Sequence, residues 1–323
     1  MPRAERRRAD EPKEDTAMRP LKNLCEVAVI GGGLAGLSAA RHAARLGRLV
    51  TLFENSALWG GLVATVGEVD GVPLPGKFSG QDLAMHLLED ARKAGVRIVQ
   101  AGVANVELES RLTLTDQESA VYHPEAVIVA SGASLRKLGV PREEEFLGRG
   151  LSRCATCDGG FFRGQDVVVV GGGDGAVQEA LVLAKSSRQV IMVCRSPLRA
   201  KRDYVDRIAA RENVRFLWDS EVSAILGDQT VAGVRLRNVR NGSGTDIECA
   251  GLFPFVGETP NSGFLPASLL TDSGHIKTTP DLATSDARVF AVGAVRAEYG
   301  GNLVQAMAEG VGAAESAARL KLH

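Results

Sequence analysis

Residues 25–47 read CEVAVIGGGLAGLSAARHAARLG, and residues 166–185 read DVVVVGGGDGAVQEALVLAK. Each is a β-branched apolar run, then three glycines, then an alanine-rich helical pattern. Each leads into a second strand, RLVTLFE ending at Glu54 and RQVIMVCR ending at Arg195. That completes a βαβ unit of about 30 residues in both places. The internal repeat predicts an α/β chain with two Rossmann-like dinucleotide-binding domains.

In the first turn Gly31, Gly33 and Gly36 stand at the GxGxxG positions. The first makes the tight turn, the second lets backbone approach a pyrophosphate, and the third permits close helix packing. The helix that follows presents unsatisfied N–H groups to the phosphates, and Glu54 ends the next strand, where an acid holds the hydroxyls of an adenosine ribose. The second turn carries Gly171, Gly173 and Ala176 in the same places, with Asp174 between them. No acid ends its next strand; Arg195, Arg199, Lys201 and Arg202 cluster there instead. Such a cluster suits a 2′-phosphate and favours NADPH, with NADH the other candidate. An ordinary solvated helix start is the bland reading of the same charges.

Working outward, an amphipathic helix is expected near residues 80–94, followed by the strand VRIVQ and the apolar run EAVIVASG ending at Gly132. Beyond the second unit lie FLW, alternating strands and AGLFPFVGETPN ending at Asn261, then RVFAVGA and an Ala/Gly-rich helix from Asn302 to Leu320. The second domain therefore reads as an insertion into the first. The boundaries are 23–134 and 262–323 for the first domain and 135–261 for the second. ASGAS and GETPN are the two crossings, each with a glycine to act as a hinge. Residues 1–22 mix Arg, Lys, Glu, Asp and Pro with little that is apolar, as expected for a mobile arm, with Met18 an alternative start.

The 323 residues exceed one usual core, which agrees with two domains. A hydrophobic fraction of 45%, a charged fraction of 24% and a net charge of -1 are ordinary globular usage and speak against nucleic acid or an anionic membrane as partner. No apolar run has the length of a membrane span, so a cytoplasmic protein is expected.

The five cysteines are three singletons, Cys25, Cys194 and Cys249, and one close pair, Cys154 and Cys157. A CxxC spacing lets two thiols close a small ring that forms and reduces easily. Zinc would need two more ligands, and the other cysteines and the five histidines are scattered, so no metal is expected. An inert structural disulfide is the remaining alternative. Two dinucleotide sites and one CxxC compose an electron path, from nicotinamide to flavin to dithiol.

Over residues 23–323 the chain resembles the low-molecular-weight thioredoxin reductases. The most specific stretch is GRGLSRCATCDGGFFRGQDVVVVGGGDGAVQEA, residues 148–180. Gly60 and Gly61, ASG through Ser131 and Gly132, AVGAV, and QAMAEGVGAA from Gln305 and Ala306 onward also match. The resemblance implies a homodimer that binds FAD, with NADPH as donor and thioredoxin or a similar small dithiol protein as partner. It implies that Cys157 is the thiol beside the flavin, Cys154 the thiol that attacks the partner, and Asp158 the acid/base. It also implies a rotation of the NADPH domain against the FAD domain.

The family's closing flavin motif reads GD, and its Asp bonds the ribityl chain; here the pair is Gly293 and Ala294. Losing a charge-assisted hydrogen bond costs roughly 1.5–3 kcal/mol where no other group compensates. A loop about three residues longer follows, with Glu298 and Asn302 as candidate substitutes, and Val304 replaces an Arg. In the family's HRRxxxRA signature Val193 and Cys194 replace His and Arg, while Arg195 and Arg199 remain. Gly160 takes the first place of an aromatic pair that relatives use to dock thioredoxin, and Phe161 and Phe162 follow. The leading expectation is an NADPH-dependent flavoprotein disulfide reductase. The alternatives are a dithiol oxidase or ferredoxin-fed reductase on the same scaffold, and a non-enzymatic redox-sensing relative.

Overall fold

In the computed structural model, residues 25–67, 69 and 78–320 are described; the expected arm at 1–22 lies outside them. The first unit is β1 (Val27–Ile30), α1 (Leu34–Arg45) and β2 (Val50–Phe53). It continues through α2 (Gly80–Lys93), β3 (Arg97–Val99), a hairpin layer of β4 (Val103–Leu108), β5 (Leu112–Asp116) and β6 (Val121–Tyr122), and then β7 (Ala126–Val129). Ser79 starts α2 with a capping box: its hydroxyl accepts from Asp82 N–H, and the Asp82 carboxylate accepts from Ser79 N–H.

After β8 (Ala133–Leu135) come α3 (Ala155–Asp158), β9 (Asp166–Val170), α4 (Asp174–Leu183), β10 (Gln189–Val193), α5 (Arg202–Ala209) and β11 (Val214–Leu217). An antiparallel layer of β12 (Ser220–Leu226), β13 (Gly233–Asn238) and β14 (Gly244–Glu248) precedes β15 (Gly251–Pro254) and β16 (Glu258–Pro260). The chain ends with β17 (Val289–Ala291) and α6 (Leu303–Ala318).

Two parallel sheets organise these elements, in the orders β17-β7-β1-β2-β3 and β11-β10-β9-β15. The last strand of the first sheet, β17, joins it only after the whole second sheet has been made, so the second α/β unit is inserted in the first. Alternate residues of the central strands feed separate cores. Val27 and Val29 belong to one cluster and Ala28 and Ile30 to another. Val167 and Val169 face one side of the second sheet, Val168 and Val170 the other. Burial on both faces is why these strands are unbroken β-branched runs rather than alternating ones. The two chain crossings meet in a single antiparallel ribbon, with Leu135 opposite Glu258 and Ala133 opposite Pro260. Among the described residues no helix is long and apolar enough to cross a membrane.

Candidate active site

Gly31 sits at φ +108°, and a Cβ there would lie 2.4 Å from the Ala130 carbonyl oxygen. Only glycine fits that turn. A Cβ at Gly36 would lie 1.9 Å from the Gly31 carbonyl oxygen, so the third glycine lets α1 start against its own turn. Gly33 caps α1 with no side-chain partner and no acid in the first turn, leaving backbone N–H groups directed outward. Glu54, just past β2, accepts from Gly32 N–H at 2.5 Å and Ser56 N–H at 2.6 Å.

These groups open onto a cavity of 750 Å³ whose wall includes Gly31, Gly33, Glu54, Gly60 and Gly61. Ser131 and Gly132 line it from the end of β7, and Gly293, Ala294 and Ala306 from the C-terminal segment. Glycine backbone, a free helix start and a carboxylate at the strand end fit the phosphates and ribose of a dinucleotide such as FAD.

Cys154 and Cys157 form a disulfide with a Cα–Cα distance of 5.3 Å, and both line this same cavity together with Asp158. Cys154 is the N-cap of α3: its Sγ accepts from Cys157 N–H at 3.0 Å. Ser152, itself buried, accepts from Cys154 N–H at 3.1 Å and fixes the entry to the turn. Across the cavity mouth the Cys154 Sγ lies 3.6 Å from the Thr65 carbonyl oxygen. Cys154 is buried and Cys157 exposed. Burial pushes the thiols of Cys25 and Cys194 up to about 11 and that of Cys249 to about 12. The thiolate is the reactive form, so the three singletons are inert and the pair stands apart.

Where the sequence lacks the expected acid, at Ala294, the wall is completed by Tyr299. Burial raises its hydroxyl to about 12, with Glu309 and Glu258 adding to the effect. Neither Glu298 nor Asn302 forms part of the wall; the Asn302 side chain accepts from Gln305 N–H at 2.7 Å as the N-cap of α6. Gln305 also stays out of the wall, its side chain bonded to Gly300 N–H and to Glu309. Glu309 was not visible as a site residue in the sequence. It accepts from Gly293 N–H at 2.8 Å, from Gln305 at 2.7 Å and from Arg296 at 2.5 Å. Burial works against its charge, but these three donors outweigh it and hold the carboxyl below its usual value. The signal was a single acid on the alanine- and glycine-rich face of a helix.

The second turn repeats the first: Gly171 sits at φ +135°, Gly173 caps α4, and Ala176 is 1% exposed against the core. Asp174 accepts from Lys201 N–H at 2.7 Å and pairs with its ammonium at 3.6 Å, tying the loop after β10 to the glycine turn. Arg202 pairs with Asp206. Arg195 and Arg199 are exposed and have no ion pair among the described residues, so their guanidiniums are free for an anion. Val193 and Cys194 are buried in the cores beside β10, which removes both positions from any phosphate clamp.

A family model for pyridine nucleotide-disulphide oxidoreductases matches residues 25–310. The chain is 36% identical over 280 residues to a thioredoxin reductase of Streptomyces coelicolor, covering 85% of this chain and 87% of that one. It is 38% identical over 276 residues to a bifunctional thioredoxin reductase/thioredoxin of Mycobacterium leprae, covering 83% of this chain and 59% of that one. The crystal structure of Lactococcus lactis thioredoxin reductase superposes with a TM-score of 0.86 at 33% identity, covering 91% of this chain and 98% of that one.

Proposed function

The chain belongs to the pyridine nucleotide-disulphide oxidoreductase family, and from that premise we propose that it passes electrons from NADPH through FAD and the Cys154/Cys157 pair to the disulfide of thioredoxin or a thioredoxin-like protein. The observation that carries this reading is the Cys154–Cys157 disulfide in the wall of the same cavity that the first glycine turn lines. FAD, when bound there, supplies two-electron transfer between a nicotinamide and the disulfide.

Gly31, Gly33, Gly36, Glu54, Gly60, Gly61, Ser131, Gly132, Gly293, Ala294 and Ala306 hold FAD in this reading, and Gln305 supports them through Glu309. Gly171, Gly173, Asp174 and Ala176 shape the NADPH turn, and Arg195 and Arg199 take the 2′-phosphate. Cys157, exposed in the cavity wall, is the thiol reduced at the flavin, Cys154 attacks the partner, and Asp158 supplies and recovers the proton. The inserted domain spans 135–261 and turns on the β8–β16 ribbon, bringing the buried Cys154 outward. Phe161, 78% exposed on the turn after the pair, is the apolar contact for the partner. The Mycobacterium leprae relative, named as reductase and thioredoxin together, supports that choice of partner. A homodimer in the cytoplasm completes the reading.

The test is anaerobic. NADPH is expected to bleach the visible flavin spectrum of the purified protein at a lower concentration than NADH. In a Cys157→Ser variant bleaching persists while reduction of thioredoxin or another disulfide is abolished. A flavin that neither nucleotide bleaches defeats the proposal at its first step, and turnover with a dithiol and oxygen instead selects the oxidase.

A further inference from the structure

Glu179 is an acid with no part in the chemistry described so far. It lies on α4, one turn beyond Ala176, and its Oε2 accepts from the N–H of Ala155 at 2.5 Å. Ala155 is 1% exposed and packs in the same cluster as Ala176, Val177 and Ala180, so the redox turn is seated on the helix that begins at the second glycine turn. Two amides of that turn, on either side of Thr156, thus face two acceptors: Ala155 N–H faces the carboxylate, and Cys157 N–H faces the Cys154 sulfur.

While the pair is oxidised the sulfur is neutral. Reduction adds two electrons and breaks the S–S bond; one sulfur takes a proton and the other is left as thiolate. With Cys154 as the thiolate, two anions meet at the start of one short turn. Asp158 stands at the other end of that turn, and Arg153 before it lies 3.5 Å from Glu143 and 3.7 Å from Glu144. The Gly61–Thr65 turn opposite carries no charged side chain. On α4 itself Asp174 is engaged with Lys201, and Gln178 bonds the Tyr204 hydroxyl. Glu179 has no ion-pair partner among the described residues, and burial raises its carboxyl above the usual range against the opposing effect of the Ala155 hydrogen bond.

We propose that Glu179 is a positioning residue of the redox pair: it pins the Ala155 amide so that the turn keeps its shape when the disulfide opens, and its charge governs how readily the Cys154 thiolate forms. The proposal rests on the redox reading of the CxxC pair, but its test needs neither NADPH nor a partner. In a Cys157→Ser background Cys154 is the single thiol of the turn, and its alkylation by iodoacetamide is followed against pH.

Removing the charge in Glu179→Gln, which keeps an acceptor for Ala155, is expected to speed alkylation at neutral pH about threefold and to move the profile to lower pH. Glu179→Asp, which keeps the charge, should return toward the parent profile. A Gln profile that superimposes on the parent makes Glu179 a mere brace and overturns the proposal. Should the Gln variant fail to fold, the parent Cys157→Ser profile decides: a second, lower inflection from the coupled carboxyl supports the proposal, and a single step defeats it. Because no nucleotide takes part, failure here leaves the bleaching test standing, and failure there leaves this result intact.

Discussion

Glu309 brings a charge into the face of α6 that packs against the rest of the chain, and only its three donors make that tolerable. The side chains of Arg296 and Glu309 are 12% and 9% exposed, and removing one partner of such a pair typically costs about 3–5 kcal/mol because the other charge is left buried. Glu309→Gln is therefore expected to lower unfolding stability by roughly 3 kcal/mol in urea titrations. It should also weaken FAD retention, read by flavin release on dilution, since one amide oxygen must replace two carboxylate oxygens that serve Gly293 of the cavity wall on one side and Arg296 and Gln305 on the other. The folded carboxyl lies below its unfolded value of 4.5, so its stabilisation is fully present above that value. It is lost as pH falls through the folded pKa. The acid-side loss of stability should be shallower in the Gln variant than in the parent. The departure at Ala294 was legible in the sequence; its surroundings were not, because Tyr299, Arg296 and Glu309 converge only when the loop folds back on α6.

At the scale of elements, helix packing and one loop carry the site. A Cβ at Gly310 would lie 2.3 Å from the Ala35 carbonyl oxygen on α1, so α6 approaches backbone to backbone. Gly310→Val is expected to destabilise the protein by about 1–3 kcal/mol through overpacking, seen as a lowered thermal midpoint, and to loosen FAD because α1 begins at the cavity. The repeat made both βαβ units readable, since periodicity and glycine spacing are local properties. What the loop after β10 does with its charges was not readable. Folding commits Lys201 and Arg202 to Asp174 and Asp206, leaving Arg195 and Arg199. Arg199→Ala should raise KM for NADPH about tenfold or more, the worth of one charge-assisted hydrogen bond, while KM for NADH changes little. Equal effects on both donors would remove Arg199 from the 2′-phosphate.

At the scale of the molecule, the two α/β units are joined by one ribbon and meet again at the redox turn. The ribbon is held by Asn261, whose amide donates to the Ser131 carbonyl at 2.9 Å and whose side-chain oxygen accepts from Ser134 at 2.8 Å. At the other contact a Cβ on Gly67 would lie 2.7 Å from Thr156 Cγ2. Gly67→Val is expected to push the turn away from Thr65 and slow disulfide reduction several-fold, with NADPH bleaching of the flavin unchanged. A matched loss of both rates would place Gly67 in folding rather than in closure. ASGAS and GETPN, hinge candidates in the sequence, also pair with each other as antiparallel strands, Leu135 with Glu258 and Ala133 with Pro260, a partnership that no local stretch of sequence displays.

Local chemistry needs few neighbours, and so the two glycine turns, their strands and helices, the insertion order and the CxxC pair could all be read from the order of residues. A strand buried on both faces, a helix begun at a glycine turn and a three-residue thiol spacing are each written within about 30 residues of chain. Only the tertiary structure decided that the disulfide shares a cavity with the first turn, that Tyr299 rather than Glu298 or Asn302 completes its wall, and that Glu309 and Glu179 take up the backbone amides of Gly293 and Ala155. Those groups come from distant parts of the chain. Their roles depend on desolvation and on hydrogen bonds that form only when packing excludes water.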